Sequence, residues 1–504
     1  MRTIVLLLAV TVLVASAVMP AVAAGPSLPA DRFFSYDRPA TYGVHIERIE
    51  VPLRDGSHLV CDLHRPAGPD GQPAPGRFPG IVYDFNAYNL LQQFGDAARF
   101  FVTRGYVAAI CNVRGSGDSP GHLDPFSAQE QRDNYDLIEW LAVQPWSTGR
   151  IGQTGVSYGG HSTMLVAVNK PPHLAAIIPV DAISDWYENT IYRGGIYSER
   201  IRAWQQSVAP DTLVTYAQHP DYDDFWRERS VKARWANLDV PTLQIAGWYD
   251  RYRDGMVQNF HARKDTVWLV AGPWEHGMPA GQYADIGNGA FLAWWDHWLA
   301  RRPAPLPRAK VTSFETPNGG WRQYDDWPTT AARQRRLTLT AGGDLASVPG
   351  RSAIAQFTVN TDPAPGSPDE QLSYRTEPLR HDVVLAGGID ATVRAAFTAR
   401  DGNIAVVVSD LAPDGTATRI TQGWLKASHR SGHEHPVPVQ PDVTYDLPVH
   451  LWPTHYRIEA GHQIQVSVSS DDYPEIDSDA PAGSVEVRVG DGGSTIGFTA
   501  LTSS

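Results

Sequence analysis

The sequence carries little basic charge and no long run of lysine or arginine. It has 42 Lys and Arg against 55 Asp and Glu, which gives a formal net charge of −13. Because binding to phosphate backbones needs clustered cations, we expect no nucleic-acid partner. The glycine-rich segment 114–119 lacks the G-K-[ST] and G-x-G-x-x-G spacings. We therefore interpret it as a structural turn rather than a nucleotide site.

Cysteine is also scarce, with only Cys61 and Cys111 in 504 residues. Two cysteines cannot by themselves complete a structural zinc site, which takes four ligands. Both lie in strand-like runs, at residues 58–63 and 106–112. If those strands are neighbours, a cross-strand disulfide can form in an exported protein; otherwise both cysteines are buried as small hydrophobic side chains. The sequence leaves these two alternatives open.

Long apolar runs are missing beyond the N-terminus. There, Arg2 precedes an apolar stretch at residues 4–14, and small residues lead to Ala23 and Ala24. This order predicts a secretory signal peptide over residues 1–24, cleaved near Ala23 or Ala24, with a retained membrane anchor as the alternative. We expect a secreted or periplasmic protein with no stable membrane association after cleavage.

The length and the residue pattern predict several domains, because 504 residues exceed the usual size of one hydrophobic core. Strand-like and helix-like runs alternate over residues 39–180 and again over 235–306, which predicts a parallel α/β sheet. Residues 181–234 are rich in Trp, Tyr, Arg and Asp and show weak helical periodicity without a clear strand, so we interpret them as a helical cap insertion. After the proline-rich segment 302–307, short strands and turn signals over residues 307–504 predict an all-β sandwich or jelly roll.

The strongest motif is Gly-Val-Ser-Tyr-Gly at residues 155–159, which fits the nucleophile elbow G-x-S-x-G. A strand candidate at 150–154 precedes it, and residues 160–168 can begin a helix. The turn between such a strand and helix is so sharp that side chains at the glycine positions would clash. We therefore predict Ser157 as a nucleophile.

A serine hydroxyl is a weak nucleophile that needs a general base, and the base needs an orienting acid. In this kind of fold the chain order is serine, acid and histidine, each on a loop after a strand. Asp250 and His276 have that order and that position, and we predict them as acid and base. Asp254 is the alternative acid, and His261 is the nearest alternative base, although it falls within a predicted helix.

Acyl transfer also needs hydrogen-bond donors for the developing oxyanion. The backbone N–H of Tyr158, directly after the nucleophile, is one predicted donor. The phenol of Tyr88, on the loop after the strand near residue 82, is a candidate for the second. Spacing alone favours a packed surface tyrosine at that position.

No cofactor is implied, since this chemistry needs none. A loop of the β domain contains several potential metal ligands but no second cluster at ligand spacing, so we interpret it as a solvated polar loop. Its candidate residues are His429, His433, Glu434 and His435.

At this point the chain resembles a known family, that of cocaine esterase and the X-prolyl dipeptidyl-peptidases, which also includes the α-amino-acid ester hydrolases. The matching segments are residues 144–160, 247–250, 272–276, 321–322, 327–328, 423–430 and 451–454. The resemblance implies an α/β-hydrolase core with a small helical cap insertion and a C-terminal jelly-roll domain packed against the site. It also implies that a tyrosine phenol completes the oxyanion hole. Tyr88 keeps that tyrosine's position, although Ala87 stands where the family has proline.

The resemblance implies a serine hydrolase that cleaves carboxylic esters through an acyl-enzyme, with a small ester or short peptide as substrate. An X-prolyl dipeptidyl-peptidase is the alternative, and an inactive carbohydrate- or partner-binding protein is a remote one. The α-amino-acid ester hydrolases carry acidic residues two and three positions after the triad acid, where this chain has Tyr252 and Arg253. A peptidase must hold the ammonium of its substrate, and the cap offers three carboxylates for this role: Asp181, Asp185 and Glu188.

Overall fold

The structure is a computed structural model that describes residues 31–277, 286–361 and 370–502. The signal peptide predicted over residues 1–24 lies outside the described residues and stays a prediction. Among the described residues, none of the helices has both the length and the apolar character needed to cross a membrane.

Strands and helices alternate through the first two thirds of the chain, as predicted for an α/β core. In chain order the elements are β1 (Gly43–Pro52), β2 (His58–Ala67), β3 (Phe78–Asn86), α1 (Leu91–Val102), β4 (Val107–Asn112), α2 (Ala128–Ala142), β5 (Ser147–Val156), α3 (Tyr158–Val168), β6 (Leu174–Val180), β7 (Tyr192–Arg193), β8 (Ile196–Tyr197), α4 (Glu199–Val208), α5 (Thr212–Thr215), α6 (Asp224–Glu228), β9 (Thr242–Gly247), α7 (Arg253–Ala262), β10 (Val267–Gly272), α8 (Gly287–Trp298), β11 (Val311–Glu315) and β12 (Gly320–Tyr324).

Ten of these strands form one sheet in the order β1-β2-β4-β3-β5-β6-β9-β10-β11-β12. The strands from β4 to β11 along this order run parallel, and their helices cover both faces. Helices α2, α3 and α7 bury Leu137, Met164 and Phe260 against one face, whereas α1 and α8 bury Phe101 and Trp294 against the other. Because helices cover both faces, β3 and β4 are buried along their whole length and are apolar except for Asp84, Asn86 and Asn112 near their carboxyl ends. The carboxyl ends of the parallel strands meet at one edge, where an active site is expected.

Two predicted boundaries of the α/β core are wrong. The sheet does not end at residue 306, because β11 pairs in parallel with β10 and β12 pairs with β11. The proline-rich segment 302–307 has the composition of a linker, yet the chain returns to the sheet edge directly after it. The core also begins before residue 39, since Phe33 and Phe34 are buried beside α8.

Cys61 and Cys111 face each other on the antiparallel strands β2 and β4 and form a disulfide. Both are buried, with 0% and 1% of their surface exposed. The bond closes a loop with a sequence separation of 50 residues. In the chain-entropy model such a loop closure stabilises a fold by about 4 kcal/mol. Of the two alternatives left open by the sequence, the structure therefore has the disulfide, a feature typical of proteins from oxidising compartments.

The cap between β6 and β9 is mostly helical, built from α4, α5, α6 and helical turns at Tyr187–Ile191, Tyr216–Gln218 and Lys232–Asn237. The expectation of no strand here is wrong, because β7 and β8 form a short hairpin. Gly194 and Gly195 make its turn with φ of 58° and 83°, a left-handed conformation that favours glycine. In the sequence, the Gly-Gly pair at residues 194–195 is the feature that could have predicted this turn.

The C-terminal domain is an all-β sandwich, in agreement with the jelly roll expected from the sequence. Its strands are β13 (Arg333–Leu339), β14 (Leu345–Ala346), β15 (Ala353–Thr358), β16 (Gln371–Arg375), β17 (Val383–Phe397), β18 (Asn403–Leu411), β19 (Ala417–Lys426), β20 (Tyr445–Ile458), β21 (Gln463–Ser469), β22 (Ser484–Val489) and β23 (Thr495–Thr502). One sheet has the order β14-β13-β23-β17-β22-β15 with β20 paired to β17, and the other has the order β16-β21-β18-β19. Alternate residues such as Val406, Val449 and Val487 fill the space between the sheets.

Candidate active site

Ser157 lies at the sharp turn between β5 and α3. Its backbone has φ 59° and ψ −112°, a strained conformation for a residue with a side chain. The turn is held by its N–H, which donates to the Val180 carbonyl at 3.0 Å, and by its carbonyl, which accepts from His161 N–H at 2.8 Å. This strand–turn–helix geometry is that of a nucleophile elbow.

The glycines around Ser157 are required by close packing. A Cβ on Gly155 would lie 2.5 Å from the carbonyl carbon of Gly159. A Cβ on Gly159 would lie 2.0 Å from a carboxylate oxygen of Asp84, and one on Gly160 would lie 2.3 Å from the Val180 carbonyl oxygen. The motif therefore permits the tight approach of α3 to the sheet.

Asp250 and His276 follow the neighbouring parallel strands β9 and β10, so their loops lie side by side. His276 Nδ1 is 2.5 Å from Asp250 Oδ2. The Asp250 side chain is fully buried and also accepts the backbone N–H of Tyr252. This pairing keeps the proton on Nδ1 and leaves Nε2 as the basic nitrogen. Ser157 and His276 line the same cavity.

The alternative acid and base lie elsewhere. Asp254 binds Nε2 of His450 at 3.0 Å, and His261 Nε2 lies 2.7 Å from the Trp327 carbonyl oxygen. Neither residue lines the cavity that contains Ser157. Asp250 and His276 differ from these alternatives in lying on loops directly after strand ends, and this position, rather than residue type, identified them.

A second carboxyl group, that of Asp181, lies near His276. The sequence analysis considered Asp181 only as a partner for a substrate ammonium group. Asp181 directly follows β6, with φ 47°, and its Oδ2 is 3.8 Å from His276 Nδ1. The same oxygen accepts the Gly277 N–H at 2.8 Å. Burial, with the negative charge of Asp250 as a further cause, raises the pKa of Asp181 well above its usual value. Asp181 therefore holds the histidine loop through the Gly277 N–H, and its burial disfavours the charged form of the carboxyl.

The loop that carries Asp250 is braced from the C-terminal domain. Arg253 is buried, and its guanidinium donates to the Trp248 carbonyl and, at 2.9 Å, to the Ile420 carbonyl of β19. The indole N–H of Trp248 donates to Ser313 Oγ at 3.0 Å. The jelly roll is thus connected by hydrogen bonds to the acid loop.

Tyr88 lies beside the nucleophile, as the resemblance implied. Its phenol oxygen accepts the indole N–H of Trp204, from the cap, at 3.0 Å, and Tyr88 lines the same cavity as Ser157. Burial raises the pKa of the Tyr88 phenol well above its usual value, so it stays a proton donor. The backbone N–H of Tyr158 is at the first position of α3, where helix amides lack an intrahelical partner. Tyr88 and Tyr158 can therefore both donate to an oxyanion.

Replacement of Tyr88 by phenylalanine is expected to lower kcat for a p-nitrophenyl ester by about 10²–10³-fold with a small change in KM, because one oxyanion donor is lost. Steady-state kinetics on the purified variant checks this. Tyr135→Phe on α2, outside the cavity, is the matched control and should match the parent enzyme. A kcat for Tyr88→Phe within about threefold of the parent would assign Tyr88 a packing role instead.

The cavity at the nucleophile has a volume of about 200 Å³. Its walls are largely aromatic and apolar: Tyr88, Phe126, Tyr158, Ile183, Trp186, Ile201, Trp204 and Tyr252. The cap contributes Trp186, Ile201 and Trp204. Such a lining suits an acyl or alcohol group with apolar surface.

Two of the three carboxylates expected to bind an ammonium group lie outside the cavity and have other partners. The Asp185 carboxylate accepts the backbone N–H groups of Tyr187 at 2.9 Å and Glu188 at 3.0 Å. Glu188 pairs with Lys232 at 2.6 Å. Neither Asp185 nor Glu188 lines the cavity, whereas Asp181 does.

The prediction of a solvated loop is wrong for His429. That ring is 6% exposed and packs against Gly195 of the cap hairpin, where an added Cβ would lie 2.5 Å from it. His429 Nδ1 lies 3.1 Å from His433 Nδ1. Glu434 and His435 are exposed, as expected for a polar loop. The cap covers part of this loop, and that contact has no signal in the local sequence.

The fold and this arrangement of serine, histidine and carboxylate define a serine hydrolase of the α/β-hydrolase class. The family model for X-Pro dipeptidyl-peptidases of the S15 family matches residues 55–215 and 197–278, and that for their C-terminal non-catalytic domain matches residues 304–491. The chain belongs to the family of cocaine esterase and the X-Pro dipeptidyl-peptidases.

Curated relatives carry both kinds of activity in their names. Cocaine esterase from Rhodococcus sp. (strain MB1 Bresler) is 26% identical over 87% of this chain and 93% of its own length. A putative Xaa-Pro dipeptidyl-peptidase from Bacillus cereus is 22% identical over 78% of this chain and 75% of its own length. Among solved structures, an aminopeptidase from a marine sediment Thaumarchaeota archaeon superposes with a TM-score of 0.80 at 20% identity, covering 95% of this chain and 99% of that one. That structural likeness shows the shared fold.

Proposed function

We propose that this serine hydrolase cleaves carboxylic esters through an acyl-enzyme intermediate. Ser157 Oγ attacks the ester carbonyl carbon while His276 Nε2 takes the hydroxyl proton. The Tyr88 phenol and the Tyr158 N–H stabilise the oxyanion of the tetrahedral intermediate. The intermediate collapses, and the leaving alcohol departs with the proton from His276. Water, deprotonated by His276, then releases the acid and restores Ser157.

One observation favours an ester over an X-Pro dipeptide as substrate. A dipeptidyl-peptidase must bind its substrate's free ammonium, which calls for an ionised carboxylate at the cavity wall. Among the described residues that line the cavity, the only acidic one is Asp181. Burial raises its pKa, which disfavours the ionised form that an ammonium group needs, and its Oδ2 already accepts the Gly277 N–H. The described part of the cavity wall therefore suits a neutral substrate group better than an ammonium group.

Parallel assays of p-nitrophenyl butyrate and alanyl-prolyl-p-nitroanilide test this proposal. We expect rapid ester cleavage and negligible anilide cleavage from the purified protein, with both rates referred to a preparation of Ser157→Ala. Efficient anilide cleavage that disappears when the substrate is N-acetylated would instead establish an X-Pro dipeptidyl-peptidase. In that case the ammonium would need a partner other than Asp185 or Glu188.

A further inference from the structure

Arg251, the residue after the triad acid, carries a positive charge that none of the described residues neutralises. Its half-buried side chain lines the cavity of Ser157 and also a neighbouring, more open cavity that shares His276 with it. Within the described part of the chain, the Arg251 guanidinium makes no hydrogen bond and no ion pair. A guanidinium has five hydrogen-bond donors, which can bind an anionic group of a ligand in either cavity.

The other arginines at these two cavities all have hydrogen-bond or ion-pair partners. Arg200 forms an ion pair with Glu475, and Arg419 binds Asp472 through two contacts of 2.8 and 3.1 Å. Arg253 donates to backbone carbonyls, as described above. Arg251 therefore differs from its neighbours in having no partner of its own among the described residues.

The acidic groups nearby are also accounted for. Asp250 is bound to His276, and the Asp181 carboxyl accepts the Gly277 N–H. Glu475 is shared between Arg193 and Arg200. Glu275 is exposed on the loop before His276 and, within the described residues, forms no ion pair with Arg251. The wall beside the nucleophile thus presents a guanidinium that no described carboxylate pairs with, in a protein whose formal net charge is −13.

We propose that Arg251 binds a carboxylate of the substrate, so that the preferred esters carry a second, ionised carboxyl group. The planar guanidinium matches a carboxylate through two parallel hydrogen bonds. This inference rests on the proposed ester hydrolysis and names its substrate class. Because Arg251 borders both cavities, the carboxylate belongs either to the acyl half, as in a monoester of a dicarboxylic acid, or to the alcohol half, as in an ester of a hydroxy acid.

Two matched pairs of esters distinguish these sources. Mono-4-nitrophenyl adipate against 4-nitrophenyl hexanoate places the charge in the acyl half. 4-Carboxyphenyl butyrate against its methyl ester places it in the alcohol half. For each pair, the ratio of kcat/KM for the anionic ester to kcat/KM for the neutral ester is measured in the parent enzyme, Arg251→Gln, Arg251→Lys and Arg419→Gln.

We expect Arg251→Gln to lower this ratio by about 10- to 100-fold for one of the pairs, mainly through KM, since a hydrogen-bonded charge pair is lost. Arg251→Lys should keep part of the preference, because it keeps the charge but not the bidentate geometry. Arg419→Gln, which alters an arginine already paired with Asp472, should leave both ratios unchanged.

An unchanged ratio in Arg251→Gln for both pairs would overturn the inference while Ser157-dependent cleavage of the neutral esters upheld the proposed function. The neutral ester also reports any damage to the adjacent Asp250, since such damage lowers both rates together and leaves the ratio alone. Absence of Ser157-dependent cleavage of every ester would overturn the proposed function and this inference with it.

Discussion

Replacement of Ser157 by alanine is expected to lower kcat for p-nitrophenyl butyrate by about 10⁶-fold. The reason is the loss of the nucleophile that forms the acyl-enzyme: Ser157 lies at the strained turn, in one cavity with Tyr88 and His276. KM should change little, because the aromatic walls that bind the substrate stay in place. Steady-state kinetics with enough protein to measure the residual rate checks this result.

Helix α3, which begins directly after Ser157, offers a matched control. Ser162 is buried in α3 and its hydroxyl has no hydrogen-bond partner within the described residues, so Ser162→Ala removes no interaction. We expect that variant to match the parent enzyme in rate and in labelling by a serine-directed phosphonate, whereas Ser157→Ala takes up no label. Parent-like rates from a clean preparation of Ser157→Ala would contradict the assigned nucleophile.

Asp250→Asn should have the second largest effect, a fall in kcat of about 10⁴-fold. An asparagine can donate its N–H to His276 Nδ1, which moves the histidine proton to Nε2 and removes the base that faces the serine. It also removes the negative charge that stabilises the imidazolium formed during attack. The 2.5 Å contact and the complete burial of the carboxylate make this position intolerant of the exchange.

Asp181→Asn tests whether catalysis depends on Asp250 alone or on any carboxyl group near His276. Asp181 lies 3.8 Å from the same nitrogen, but burial raises its pKa and disfavours its charged form, and an amide oxygen can accept the Gly277 N–H equally well. Its kcat should stay within about tenfold of the parent value. If Asp181→Asn lost about 10⁴-fold and Asp250→Asn retained activity, the two carboxyls would have to exchange roles.

The candidate site could be predicted largely from the sequence because its residues follow strand ends. The nucleophile turn is a local pattern of glycines around Ser157. Asp250 and His276 follow two consecutive parallel strands, and consecutive parallel strands place their following loops together. The structure pairs His276 with Asp250 and places Ser157 in the same cavity as His276. Tyr88 needed the family resemblance, since a tyrosine two residues beyond a buried strand has several uses.

What could not be predicted depends on contacts between distant segments. The pairing of β11 with β10 follows a proline-rich stretch that resembles a linker, so local composition gave the wrong boundary. The burial of His429 depends on the cap, and the contact of Asp181 with His276 depends on which strands lie side by side. None of these pairings has a signature within a window of ten or fifteen residues.

The hydrogen bond from Arg253 to the Ile420 carbonyl links the acid loop to a strand that is synthesised late. Ile420 belongs to β19, which the ribosome delivers after the whole α/β core. The domain that holds β19 needs β23, which lies between β13 and β17 in its larger sheet. While those strands are still being synthesised, the acid loop lacks this contact and Arg253 keeps only the Trp248 carbonyl as an acceptor. We therefore expect a nascent chain that already carries Ser157, Asp250 and His276 to be less active than the complete chain, and removal of the C-terminal domain by proteolysis to lower the activity in the same way.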